Sequence, residues 1–235
     1  MREAPVHRAV HVRREFLRAV ASASGCALAA CATSGTTRGD RADTTSEHGE
    51  AEVTPGEDLM QEHGVLERIL LVYDEAARRI DSKEQLDPGV IARAARIIRR
   101  FVEDYHEKHE EQFVFPRLKK ARREVELVAI LLSQHHRGRE LTDEILRAGG
   151  ATPELALLLR SFSRMYRPHA AREDTVLFPA FRRIVGRAGY RELGEQFEEK
   201  EHALFGEHGF ENTVAEVAEL EAALGIGDLA KFTPA

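Results

Sequence analysis

Residues 106–116 read His-Glu-Lys-His-Glu-Glu-Gln-Phe-Val-Phe-Pro, and residues 169–179 read His-Ala-Ala-Arg-Glu-Asp-Thr-Val-Leu-Phe-Pro. One pattern describes both: His, three residues, Glu, an acidic residue, two residues, an aliphatic residue, then Phe-Pro. On an α-helix, residues four apart stack on one face about a turn from each other. His106 with Glu110, and His169 with Glu173, therefore each present an imidazole and a carboxylate in one direction. Upstream of each copy lies a further histidine in an apolar setting, His63 after Leu59 and His135 after Leu131 and Leu132. The order along the chain is His, His-x3-Glu, His, His-x3-Glu.

The surrounding periodicity puts these groups on four successive helices. Leu59, Val65, Leu66, Ile69, Leu70 and Tyr73 stripe a first helix over about 56–82. Asp87-Pro88 supplies a cap and a first-turn proline for a second, which carries Ile91, Ile98, Phe101 and Tyr105 to about Lys120. A third, about 122–147, carries Val128, Leu131, Leu141 and Ile145 and stops at Gly149-Gly150. Thr152-Pro153 starts a fourth that runs to about Val185, punctuated by Gly186 and Gly189. A fifth follows over about 190–224, interrupted near Gly206 and Gly209. Short connections make neighbouring rods antiparallel. The expected fold is all-α, an antiparallel four-helix bundle with an additional C-terminal helix, over residues 56–235.

Bundling those helices collects six donors in one layer: His63, His106, Glu110, His135, His169 and Glu173. So many ionisable groups inside a bundle need compensation, because a buried polar group left unpaired costs several kcal/mol. Metal ligation supplies it. Cys26 and Cys31 are the only cysteines and precede the helical region, so any metal there is held by His, Asp or Glu. Nitrogen and oxygen donors suit iron or manganese, with zinc as a third choice, although six ligands exceed a four-coordinate zinc site.

These residues resemble the hemerythrin-like, cation-binding HHE family over about residues 56–235, including Gly138-Arg139 after His135 and the two Phe-Pro endings. The resemblance implies a non-haem di-iron centre, oxo- or hydroxo-bridged, on those six positions. It is closer to the bacterial group with four histidines and two glutamates, which includes iron–sulfur repair-type proteins, than to marine oxygen carriers. Those carriers place two histidines four apart on the third helix, where this chain follows His135 with Arg139. Four imidazole nitrogens, two bridging carboxylates and a bridging oxygen make about ten bonds, five per iron in the octahedral environment nitrogen and oxygen donors favour. A more open and reactive site than a carrier needs is the expectation.

Neighbouring polar residues have plainer readings. His109 and His136 point about 100° from the motif residues beside them and are expected at the surface or behind the ligands. Glu111 and Asp174 are expected to face solvent or a surface arginine. His202 and His208 read as solvated, and Tyr105, Tyr166, Val114, Phe115, Leu177 and Phe178 as packing. Pro168, lacking an N–H, is expected to distort the fourth helix just before His169.

Ahead of the bundle, Arg13-Arg14-Glu15-Phe16-Leu17-Arg18 and the short apolar run that follows resemble a twin-arginine export signal. Leu28-Ala29-Ala30-Cys31 resembles a bacterial lipobox. Residues 1–31 thus read as an address, and 32–55, rich in Thr, Ser, Gly and charge, as a flexible linker. The implied location is the cell envelope, with membrane contact only through a lipid anchor at Cys31.

Net charge is −6 although residues 1–30 carry five arginines against two glutamates, so the remainder is acidic. An acidic body without a basic stripe argues against nucleic acid as a partner. Three functions stay open at this level. One is capture or sensing of O₂ or nitric oxide; a second is redox chemistry on peroxide or nitric oxide, or repair; the third is a zinc-binding structural bundle.

Overall fold

The computed structural model describes residues 54–234. The export signal expected in residues 1–31, and the linker up to residue 53, lie outside the described residues. Thr54 and Pro55, the last two residues of the expected linker, instead begin the first helix. The Thr54 N–H donates to Glu57 Oε2 (2.9 Å) and the Glu57 N–H returns a bond to Thr54 Oγ1, a reciprocal cap with proline in the first turn. Helix α1 is Pro55–Asp81.

Helix α2 spans residues 88–120, begun by Asp87, whose Oδ1 accepts the Gly89 N–H at 2.8 Å. Helix α3 is Val125–Arg147, and α4 spans residues 153–185 behind the Thr152 cap. At Gly186 the backbone turns to φ 72°, ψ 170°, a conformation costly for any residue with a Cβ. What was expected as one interrupted C-terminal helix is two: α5 over residues 187–205 and α6 over Gly209–Leu224. Among the described residues there is no strand. None of the described helices is long and apolar enough to cross a membrane.

Two apolar clusters fill the interior, and their membership shows which way each rod runs. One contains Leu59, Val114, Leu118, Val128, Leu131, Leu177 and Phe181; the other contains Leu66, Tyr73, Ile98, Phe101, Leu141, Leu159 and Phe162. Helix α1 passes from the first to the second, α2 returns, α3 repeats α1 and α4 repeats α2. The rods therefore alternate in direction, as expected from their short connections. All six motif residues fall between the two clusters in every rod, so a buried polar layer is sandwiched between two greasy ones. Helix α6 packs on α1 and α2 through Val217, Leu220 and Leu224, and Glu221 takes a two-bonded Arg68 (2.9 and 2.6 Å).

The two Phe-Pro endings reshape the rods beside the polar layer. The Phe115 N–H bonds to the Glu110 carbonyl and the Phe178 N–H to the Glu173 carbonyl, each five residues back instead of four. Pro116 and Pro179 have no N–H to continue the ordinary ladder, and a widened turn absorbs the defect. Such turns span Glu110–Val114 and Glu173–Leu177, and α2 has a longer one at Ile98–His106. At Pro168, where a distortion was expected, the α-helical part of α4 runs on to Arg172, and the widening begins at Glu173.

Candidate metal centre

All six expected donors meet in the polar layer, each 3% exposed or less. They form two four-membered groups: His63, His106, Glu110 and Glu173, and His135, His169, Glu110 and Glu173. Within each group the donor atoms lie within 4.8 Å of one another. Glu110 and Glu173 belong to both groups, while the histidines divide two and two. Nε2 of His63 and His169 faces Glu173 Oε2 at 3.4 and 3.0 Å, and Nε2 of His106 and His135 faces Glu110 Oε2 at 3.6 and 3.4 Å.

Polypeptide alone leaves this layer unsatisfied. His63 Nε2, His135 Nε2 and all four carboxylate oxygens of Glu110 and Glu173 are buried without a well-aligned hydrogen bond, the His169–Glu173 contact being close but poorly directed. Native interiors rarely tolerate such groups. Burial and the facing Glu173 push the Glu110 carboxyl well above its ordinary range. Burial opposes ionisation of Glu173 too, but the His169 and His63 rings outweigh it and hold that carboxyl well below the usual range. Burial also works against a charged His63, yet Asp174 and Glu173 raise it to about 9. His106, buried beside His63, is pushed well below the usual imidazole value. Inward-facing nitrogens and oxygens with this unmet demand fit cations seated between them.

The same residues carry a family match: the model of the hemerythrin HHE cation-binding domain matches residues 54–181 and again 127–225. The chain belongs to the hemerythrin HHE cation-binding family. It is also 47% identical, over 94% of its length and 91% of theirs, to uncharacterized proteins of Mycobacterium bovis and of two strains of Mycobacterium tuberculosis. No solved structure matches the chain significantly.

Behind the donors of this hemerythrin-like bundle runs a second ring of contacts that sequence reasoning missed. With Nε2 facing inward, each Nδ1 meets an oxygen. His63 reaches Asp174 (2.7 Å), His106 reaches Glu62 (2.7 Å), His135 reaches Glu111 (3.1 Å) and His169 reaches Gln134 (2.9 Å). Such partners fix ring orientation and tautomer and strengthen an imidazole as a donor. Glu111 and Asp174 are thus not merely solvent-facing; Glu111 on α2 braces His135 on α3, and Asp174 on α4 braces His63 on α1. A signal was available in the duplication. The residue after each motif glutamate braces the lone histidine of the other helix pair, and the residue before each lone histidine braces the motif histidine of its own pair.

Of the remaining histidines, neither His109 nor His136 joins either group. His136 is exposed, as are His202 and His208. His109 is buried, contrary to a surface placement, and stacks on Phe197 of α5 with ring centres 4.5 Å apart. That burial, with Lys200 and His106 nearby, lowers it to about 3, so it serves as a neutral ring docking α5. Phe178 and Phe115 lie against the His63 and His135 rings, which is packing as expected.

Tyr166 does more than pack. Its hydroxyl donates to Glu107 Oε1 at 2.6 Å, and Arg139 joins Glu107 (2.6 Å) to Glu111 (2.7 Å). Gly138 makes the arrangement possible, because a Cβ there would overlap the Tyr166 hydroxyl. Gly138→Ala is expected to displace Tyr166 and lower stability by about 1–3 kcal/mol through overpacking. Adding Tyr166→Phe, which removes the colliding atom, is expected to restore part of that loss. Thermal melts of the single and double variants check it; equal melting of Gly138→Ala and the parent would contradict the packing.

Proposed function

We propose that His63, His106, Glu110, His135, His169 and Glu173 hold two iron ions, and that the protein captures or senses O₂ or nitric oxide at the cell envelope. The observation that carries this reading is the sharing of Glu110 and Glu173 between two four-donor groups. A shared carboxylate pair is the geometry that keeps two cations adjacent, and two nitrogens with two oxygens apiece leave room for a small diatomic ligand. A bridged iron pair, when bound, supplies electrons to O₂ or a seat for nitric oxide.

The chain's own residues do the rest. Glu110 and Glu173 would offset part of the charge of two adjacent cations, and the four imidazoles, held by their Nδ1 partners, keep their Nε2 atoms aimed inward. Leu59, Val114 and Leu177 on one side and Val65, Leu66 and Ala170 on the other border the layer and keep bulk water out. Export to the envelope rests on the Arg13-Arg14 pair and on Cys31 as the lipidated residue.

Metal analysis and absorption spectra of the purified chain test the reading. Two irons per chain and a reversible spectral change when O₂ or nitric oxide meets the reduced protein are the expected results. Sustained consumption of peroxide or nitric oxide would instead make it a redox enzyme. A colourless protein with stoichiometric zinc would overturn the gas-binding proposal. Incorporation of labelled fatty acid, lost in Cys31→Ser, is expected for the anchor.

A further inference from the structure

The duplication that builds the centre is chemically imperfect at one place. Around the His63 and His106 rings, both outward nitrogens meet carboxylates, Asp174 and Glu62. Around His135 and His169, one meets the carboxylate of Glu111 and the other the neutral amide of Gln134. Gln134 and Glu62 occupy equivalent positions, each directly before the lone histidine of its repeat. Glu111 is further diluted as a base, because its Oε1 also takes Arg139 at 2.7 Å and its Oε2 takes Lys108 at 2.7 Å.

We propose that the two cation positions are unequal, that the His63/His106 position takes the first metal, and that Gln134 is the residue setting the difference. An Nδ1–H donated to a carboxylate lets negative charge flow into the ring and makes Nε2 a stronger donor; an amide oxygen does this far less. The shared Glu110 and Glu173 serve both positions alike, so they cancel from the comparison. What remains is two carboxylate-backed rings on one side against one on the other, with two cations drawing on that one. Changes to such backing groups alter metal affinity by about 10–100-fold, so a preference of about tenfold follows. Gln134 touches no metal in this scheme and acts through His169 as a positioning residue.

The inference rests on the six-residue reading above, and the experiment separates the two. Metal-free protein labelled with ¹⁵N-histidine receives one equivalent of Co²⁺, and paramagnetic shifts of the ring signals are followed. Metal at the His63/His106 position is expected to dominate by about ten to one. The Gln134→Glu variant is expected to bring the two positions to comparable occupancy. The double variant Glu62→Gln with Gln134→Glu is expected to reverse the preference, which a merely structural role for Gln134 would not do. Equal occupancy in the parent, or an unchanged preference in the double variant, overturns the inference while leaving the six-residue site intact. No shift at any of the four rings with two equivalents of Co²⁺ overturns the site itself.

Discussion

Replacing Glu173 with alanine is expected to strip both metal ions from the bundle, whereas His63→Ala is expected to leave about one. The difference follows from connectivity. His63 belongs to one four-donor group, but Glu173 belongs to both, so its loss removes an oxygen from each position at once. It also leaves Glu110 as the one shared carboxylate, with four imidazoles unable to neutralise two divalent cations. Losing a group that merely backs a ligand already costs about 10–100-fold in affinity, and losing a ligand costs more. Metal analysis after desalting decides the matter, with Leu157→Ala, on an exposed face of α4, as the reference. Retention of two metals in Glu173→Ala would reject the assignment.

Removing the metal from the parent protein is expected to lower its melting temperature by roughly 10–15 °C. A cation that binds only the folded chain stabilises it by about 4 kcal/mol at a thousand times its dissociation constant. For a domain of this size each kcal/mol moves the midpoint by about 2–4 °C. The metal-free bundle must meanwhile keep Glu110 buried and facing Glu173, and burial first, then the facing carboxylate, make Glu110 resist ionisation there. At neutral pH Glu110 must take up a proton on folding, and Glu110→Gln removes that cost with almost no change of shape. It is expected to melt above the metal-free parent and below the loaded parent, with no response to added metal. Calorimetry with and without a chelator measures all three. A chelator that leaves the parent's midpoint unmoved would mean the polar layer is satisfied by polypeptide alone, contrary to its unpartnered oxygens.

Much of the architecture was legible because each signal is local. Thr152-Pro153 and Asp87-Pro88 start helices wherever they stand, since a side-chain acceptor and a missing N–H act within one turn. Apolar residues three and four apart mark a buried face without reference to any partner. The convergence of the six side chains was legible for a different reason: the motif occurs twice, each copy stacking His and Glu on one helix face. Boundaries were less secure. Thr54 looked like linker until its bond with Glu57 was visible, and the interruption expected near Gly206 within one fifth helix is a full break that separates α5 from α6.

Residue order by itself determined the helical class, the alternation of the rods and the six side chains that converge, because helix periodicity and chain length leave little freedom in those. Tertiary structure alone decided how the donors divide, with Glu110 and Glu173 common to two groups, and which neighbours brace each ring. The reason is physical. A helix wheel tells which way a side chain points from its own axis, but Asp174 meeting His63, or Gln134 meeting His169, depends on the rotation and axial offset of two rods. Those are set by packing of the apolar clusters above and below, a sum over many contacts that no single residue reports.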